Sequence, residues 1–557
     1  MTVIYDIASD YVDRYAALDP INATGMGVPG HDAEMTDFSP DAIEAQSKLR
    51  RETLARLAVA PITGDRDRVA KEAMEDVFLL REELLAAGDQ YRLSGHRNAS
   101  TVMRMAFDLM PRATEHDWEN IAARLKLVRG GLESYRVTLE EGLRRGSPTA
   151  RRQVAQAIKQ SATYAGADGS NSYFHELVEA FEASGVESDA LHDEIEAGSA
   201  GAAAAYMRFS QYLSEQFMDR AVERDGVGRE LYQLSSRVYN GIELDLEETY
   251  QWGWEELYRI ESEMRETCEK ILPGASIEET KNFLESDPNR AIDGVEDFKQ
   301  WMQDLQDRTI NELAGVHFDI PDPLRKIEAM IAPPGGSLAM YYTGPSEDFS
   351  RPGRTWYPTG GKTRFPLWGE VSIAYHEGVP GHHFERATAK YLSAELSRFQ
   401  RLMGGTSGYV EGWALYAERL MGELGYLENP DYYLGMLRAQ AMRAVRVIID
   451  IGMHLELKIP ASESYHPGET WNAELGQEFC LQRSQFPVDF MQSEVIRYLG
   501  TPGQAISYKV GERCWLEARE ASRHRLGDAF SLKDWHRAAL NLGPMGLAQM
   551  QRELARV

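Results

Sequence analysis

His376-Glu377-Gly378-Val379-Pro380-Gly381-His382-His383 puts three imidazoles and a carboxylate within eight residues, in a chain of 557 residues with only 13 histidines. A His followed at once by Glu, with further His one to two turns on, is how metallohydrolases place two metal ligands and a general base on one helical face. The run before it, Trp368 to Tyr375, reads as a helix. His376 then stands on rigid backbone, which a metal site needs.

The spacing departs from His-Glu-x-x-His, whose two imidazoles lie about 400° apart around the helix and so reach one ion. Here position 380 is Pro, and the next histidines are six and seven places beyond His376. On a straight helix they would lie roughly 9 to 10.5 Å further along the axis, more than two ligand bonds of about 2.1 Å can span. The helix is therefore expected to bend or bulge at Pro380-Gly381. That pair acts as an insertion returning His382 to the ligand position, with His383 behind it or against substrate. From the sequence the two are interchangeable. Capping of helix-end carbonyls beside a Pro-Gly break would account for any one histidine, but not for Glu directly after the first.

Composition limits the alternatives. No Pro/Ser/Gly-rich linker or low-complexity segment divides the chain, so one large helical domain over residues 1–557 is expected, with two lobes at most: a helical one (1–310) and one (311–557) with a small sheet and the metal-site helices. A net charge of -27, from 87 acidic and 60 basic residues, argues against nucleic acid or an anionic membrane as partner. Cys268, Cys480 and Cys514 are odd in number and far apart, which suggests a reducing compartment and no disulfide framework. The first twenty residues lack an uninterrupted apolar core and carry early acids, unlike a signal or transit peptide. A cytoplasmic location is expected.

Asp41–Leu57, Ala70–Ala86, Asp117–Leu143, Ala203–Val222 and Leu244–Leu272 show apolar residues at three- and four-residue spacing, the pattern of amphipathic helices. His96, His116, His175 and His192 are scattered among them and read as surface or capping residues. Tyr250, Trp252, Trp254 and Tyr258 read as core and cleft wall, and motion between lobes would control access to the cleft. From Gly315 to Gly361 prolines and glycines punctuate short β-prone pieces (VHFDI, KIEAMIA, SLAMYYT, RTWYP), which predict a small antiparallel sheet beside the His-Glu helix and no other β structure. An exposed strand there could pair with an extended peptide. Tyr341, Tyr342, Trp356 and Tyr357 could line a pocket.

A third ligand should come from another element. In Gly408-Tyr409-Val410-Glu411-Gly412-Trp413 the carboxylate has apolar neighbours, and a buried acid needs a partner such as a divalent cation. Glu418, two turns on along the same face, could accept a hydrogen bond from a ligand histidine. Arg443, Arg446, Asp450 and His454 recur on one face of an apolar helix, as an ion-pair network or as site lining with Asp450 and His454 supporting the ligands. The turn at Pro502-Gly503 opens a helix carrying Gln504, Tyr508 and Lys509. Tyr508 is the candidate donor to a developing oxyanion. Arg497 and Lys509 are candidates for a substrate carboxylate, with Gln504 beside them.

His-Glu-x-x-Pro-Gly-His-His, Tyr-Val-Glu-Gly-Trp-Ala-Leu-Tyr-Ala-Glu, Arg-x-x-Arg-x-x-x-Asp-x-Gly-x-His and Pro-Gly-Gln-Ala-x-x-Tyr-Lys-x-Gly, in this order over residues 331–520, resemble the bacterial family catalogued as domain of unknown function 885. Length and the helical first half extend the resemblance to the whole chain. That family in turn resembles helical zinc peptidases of the gluzincin type, such as carboxypeptidase Taq, thimet oligopeptidase and angiotensin-converting enzyme. In those, two ligand histidines lie on one helix and a ligand glutamate on a later one. The resemblance implies a mainly α fold with a deep cleft and zinc on His376, His382 and Glu411. The expected activity is zinc-dependent hydrolysis of peptide or other amide bonds in small substrates, with Glu377 as general base. The alternatives are a metal-dependent hydrolase of a non-peptide metabolite and a non-catalytic helical binding protein.

Overall fold

The computed structural model describes residues 2–167, 169, 171–332 and 339–557. The fold is mainly α. Helices Pro40–Val59, Asp65–Ala86, Glu115–Arg145 and Leu246–Ile271 contain the periodic segments named above almost to the residue. The fourth such segment divides: its helix ends at Tyr212 and passes into a π turn over Leu213–Phe217. Side-chain caps fix several starts, as where Thr114 and Asp117 form a reciprocal capping box that satisfies two of the orphan amides of a helix N-terminus.

The chain forms two compact units. The first comprises Met1–Pro61, Phe78–Val227 and Ile496–Thr501. Its core is aromatic: Trp118 meets Phe181 edge-on at 5.3 Å, and Phe174 packs on Tyr206 at 5.1 Å.

The second unit comprises Ile62–Val77, Gly228–Val495 and Pro502–Val557. Its central helix, Pro430–Leu455, is buried without interruption from Ala439 to His454, so over that span it is apolar on all sides except at a few polar and charged residues. Helices Ser407–Glu423 and Ser507–Leu526 cross at Gly408, Gly412 and Gly511. A Cβ on Gly511 would lie well inside contact distance of the Gly408 carbonyl, so this crossing requires glycine.

The β structure differs from the expectation in three respects. Ile327–Ile331 runs parallel to Gly353–Tyr357, and only Tyr341–Thr343 pairs antiparallel, so the three-stranded sheet is mixed. The connection between the first two positions in the sheet places the later strand in the middle, which short-range pattern cannot reveal. A separate antiparallel ribbon joins Ala291–Asp293 to Arg364–Pro366, and VHFDI forms only an isolated bridge at Phe318. Within SLAMYYT, residues 337–338 lie outside the described residues. Gln306, on helix Val295–Leu313, donates to Thr355 Oγ1 and Tyr357 Oη, both at 2.8 Å, and ties the sheet to that helix. Among the described residues no helix is long and apolar enough to cross a membrane.

Candidate metal centre

The expected bend at Pro380-Gly381 is a complete break. One helix, Glu370–Glu377, ends with His376 and Glu377, and a second, His382–Tyr391, begins with His382. The two histidines are therefore not on one helix. Between them the chain reverses with a cis Val379-Pro380 bond, and Gly381 N donates to Tyr375 O at 3.0 Å while His383 N donates to Gly378 O at 3.1 Å. A side chain at 381 would strike the carbonyl oxygens of His376 and Tyr375. Trp413 fixes the loop from outside, its Nε1 donating to Pro380 O at 2.9 Å. Glu411 and Glu418 lie on the helix that carries Trp413, so one rigid element sets both the loop and the acids.

The turn brings the imidazoles of His376 and His382 to a centroid separation of 4.7 Å with their planes nearly perpendicular. Their Nε2 atoms lie 3.5 and 3.3 Å from the same oxygen, Glu411 Oε2. His376 Nδ1 lies 2.8 Å from Glu418 Oε1. An ionised carboxylate only accepts, so Nδ1 carries the hydrogen and Nε2 presents its lone pair towards Glu411. Ser372 donates to the other Glu418 oxygen, and Arg443 Nη2 stands 3.4 Å from Oε1. Glu411 Oε2 is buried and makes no hydrogen bond. Two imidazole nitrogens and a carboxylate oxygen thus converge on one point with no hydrogen bond to Glu411 Oε2, a donor set that a cation would complete. Two imidazoles and a carboxylate suit zinc, and the carboxylate behind His376 is the usual orienting partner of a ligand histidine.

Glu377 joins the same group: ligating atoms of His376, Glu377 and His382 all lie within 4.8 Å of one another. Burial pushes its carboxyl up to about 7; Glu411 and Glu418 add to the rise, while His382 and Arg443 oppose it. Burial alone would also raise Glu411, but the facing imidazoles, His382 first, hold it well below the ordinary carboxylate range. The other grouping able to hold an ion among the described residues, His192, Asp193 and Glu196, is on the surface, and His192 is taken by Glu182 at 3.2 Å.

Of the other sequence candidates, Tyr508 stacks its ring at 6.3 Å from that of His376, with the guanidinium groups of Arg446 and Arg443 over its face at 4.6 and 5.5 Å. His383 is turned away. Its Nε2 is 2.9 Å from Leu324 O and its Nδ1 3.0 Å from the Tyr342 hydroxyl, so Nε2 donates to the carbonyl and Tyr342 donates to Nδ1.

Lys509 requires a correction. It is buried, and its ammonium donates to Glu256 Oε1 at 2.7 Å, Gln440 Oε1 at 2.8 Å and Glu512. With three donors on three acceptors, none is left for a substrate carboxylate. Gln504 donates to Ser407 Oγ at 3.1 Å. Asp450 accepts from Tyr232 Oη at 2.8 Å and Gly503 N at 2.9 Å, with His454 Nε2 at 3.7 Å, which makes a structural knot between helices. Arg497 belongs to the first unit, where it lies over the Tyr498 ring at 4.9 Å. Sequence reading missed Trp413 as the clamp on the turn and Ser372 as a partner of Glu418. The one signal for Ser372 was its place four residues before His376.

The sequence model of bacterial proteins of unknown function, DUF885, matches residues 20–554. The chain belongs to the DUF885 family. This DUF885 chain is similar in structure to the "putative lipoprotein" from Colwellia psychrerythraea, with a TM-score of 0.82 at 20% identity over 100% of this chain and 99% of that one. It is also similar to a "putative lipoprotein of unknown function" from Shewanella oneidensis, with a TM-score of 0.72 at 16% identity over 99% of each. At such identities these likenesses establish the fold. A Pyrococcus furiosus carboxypeptidase aligns with a TM-score of only 0.40 at 13% identity, over 100% of this chain and 98% of that one, and carries no argument. Comparison with curated proteins returns no match.

Two buried histidines predict the acid sensitivity of this DUF885 fold. Burial lowers His383 to about 4 and His536 to about 3, each from an ordinary value near 6.5. A depressed histidine pKa means that the unfolded chain binds the proton first. The stability from these residues is complete above about pH 6.5 and lost as pH falls towards 4, by about 3 kcal/mol for His383. Urea midpoints between pH 7.5 and 4.5 should fall steeply in wild type and less steeply in His383→Asn. Equal slopes would show that His383 does not titrate with unfolding.

Proposed function

We propose that this chain is a zinc-dependent hydrolase of peptide or other amide bonds in small substrates, with the metal held by His376, His382 and Glu411. The observation that carries the reading is the buried Glu411 Oε2, without a hydrogen bond, facing both ligand Nε2 atoms while Glu418 holds the far side of His376. Zinc, when bound, supplies Lewis-acid charge that polarises a substrate carbonyl and makes water easier to deprotonate. Glu377 is the proton carrier: it takes a proton from water and passes it to the leaving amine, so that amide and water become acid and amine. Glu377 lies within 4.8 Å of the ligating atoms of His376 and His382, within reach of a water bound between them. Tyr508, whose ring stacks on that of His376, is the donor assigned to the developing oxyanion. Arg443 and Ser372 act through Glu418, fixing the charge that orients His376.

Metal analysis by plasma mass spectrometry tests the reading. Near-stoichiometric zinc in wild type, lost in His376→Ala, His382→Ala and Glu411→Ala but kept in His383→Ala, is the expected result. Protein without zinc, even after the metal is added back, would leave the non-catalytic binding protein as the better account. Turnover of non-peptide amides with none of peptides would favour the metabolite hydrolase. Three separate, buried thiols support the cytoplasm as location, whereas the name "putative lipoprotein" points to the cell envelope for the relatives that bear it. Cell fractionation decides for this chain.

A further inference from the structure

The helix that begins with His382 carries Arg386 and Lys390 at four-residue steps, which places all three near one face, with the cations about 6 and 12 Å along the axis from the histidine. His382 faces the metal centre through Glu411, so the face leads away from that centre. Opposite the far end is the loop that follows strand Tyr341–Thr343: Lys390 donates to Pro345 O, and Arg351 Nη2 donates to Gly344 O at 3.0 Å.

These cations lack the acids that surround most others here. Lys390 and Arg351 bond only to carbonyls, and neither forms an ion pair with a described carboxylate. Arg386 has only Glu385, at 3.4 Å and without a hydrogen bond. Glu347 is held by Arg398 and Arg401, and Asp348 is turned into its own loop by the Ser346 and Ser350 hydroxyls at 2.6 and 2.7 Å. Burial first, then Arg351 and Arg386, lowers the Lys390 ammonium to about 8, with Glu347 opposing and Arg401 adding a little. In a chain of net charge -27, three cations grouped here with one direct ion pair, Arg386 to Glu385, are stabilised when an anion joins them.

We propose that Arg386 and Lys390, with Arg351 from the facing loop, form a subsite for a carboxylate carried by the substrate. The preferred substrates are then peptides or amides with an acidic group about two to four residues from the scissile bond. This rests on the hydrolase reading for the scissile bond, but the subsite is testable without turnover. Titration calorimetry on full-length, zinc-loaded Glu377→Gln protein compares three blocked hexaalanine probes: amidated, with a free C-terminal carboxylate, and amidated with one Ala replaced by Glu. One or both acidic probes should bind about tenfold or more tightly than the neutral one, the size expected for a charge-assisted contact, and which of them does tells a terminal from a side-chain carboxylate. The ratio should fall towards one in Lys390→Gln and Arg351→Gln, survive in Lys390→Arg, and turn in favour of a lysine-bearing probe in Lys390→Glu. A purely structural role for Lys390 would weaken all probes alike. Equal binding of the three probes, no binding, or a preference unchanged in both glutamine variants would overturn the subsite. If acidic probes bind and wild type cleaves none of them, the hydrolase reading fails and the subsite stands.

Discussion

Glu377→Gln is expected to keep near-stoichiometric zinc and to lose about 10³-fold in kcat, within the range a general base contributes. Glutamine has the shape of glutamate and cannot accept and pass a proton. The variant also separates the two carboxylates of the centre, because Glu377 and Glu411 both lie within reach of His376 and His382. Zinc kept in Glu377→Gln and lost in Glu411→Gln assigns the base to 377 and the ligand to 411. The opposite pattern exchanges them, and turnover within tenfold of wild type removes Glu377 from proton transfer. A second readout needs no substrate. Burial raises the Glu377 carboxyl to about 7, so the folded metal-free chain holds this proton more tightly than the unfolded one. Stability from the group is present below about pH 4.5 and lost as pH rises towards 7, by about 3 kcal/mol. At pH 8 metal-free Glu377→Gln should therefore melt above metal-free wild type.

Helices and the convergence of His376, Glu377, His382 and Glu411 could be read from the sequence because both leave local signatures. Periodic apolar residues outline Pro40–Val59 and Leu246–Ile271, and Glu411 stood out as an acid among apolar neighbours. What could not be read depends on contacts between distant segments. The strand Gly353–Tyr357 takes the middle of its sheet by pairing with a strand more than twenty residues earlier and with one between them, and no short-range pattern encodes that order. Lys509 looked like a free cation because its acceptors Glu256 and Gln440 are 253 and 69 residues away. His382 and His383 were interchangeable in sequence, and what distinguishes them in space is a carbonyl at Leu324 and a hydroxyl at Tyr342. Pro380-Gly381 suggested a distorted helix, whereas the chain ends one helix and starts another.

Gly381→Ala is expected to cost about 3 kcal/mol or more of stability and to weaken zinc binding by about two orders of magnitude. The reason is steric: an added Cβ would meet the carbonyl oxygens of both His376 and Tyr375 inside contact distance. Both belong to the helix that presents the His376 imidazole. That backbone cannot retreat alone, because Gly381 N is bonded to Tyr375 O and Trp413 holds Pro380 O. Relief must therefore move His382 relative to His376, and a shift of 1 Å is large against metal–nitrogen bonds of about 2.1 Å. Gly130, in helix Glu115–Arg145, is the matched control: a Cβ there meets nothing within 4 Å, and Gly130→Ala should be neutral or stabilise by about 0.5–1 kcal/mol. Thermal melts and zinc titrations of both variants check the argument. If Gly381→Ala binds zinc within threefold of wild type, the centre does not depend on the closeness of this turn, and the two histidines must be held by Glu411 and Glu418 alone.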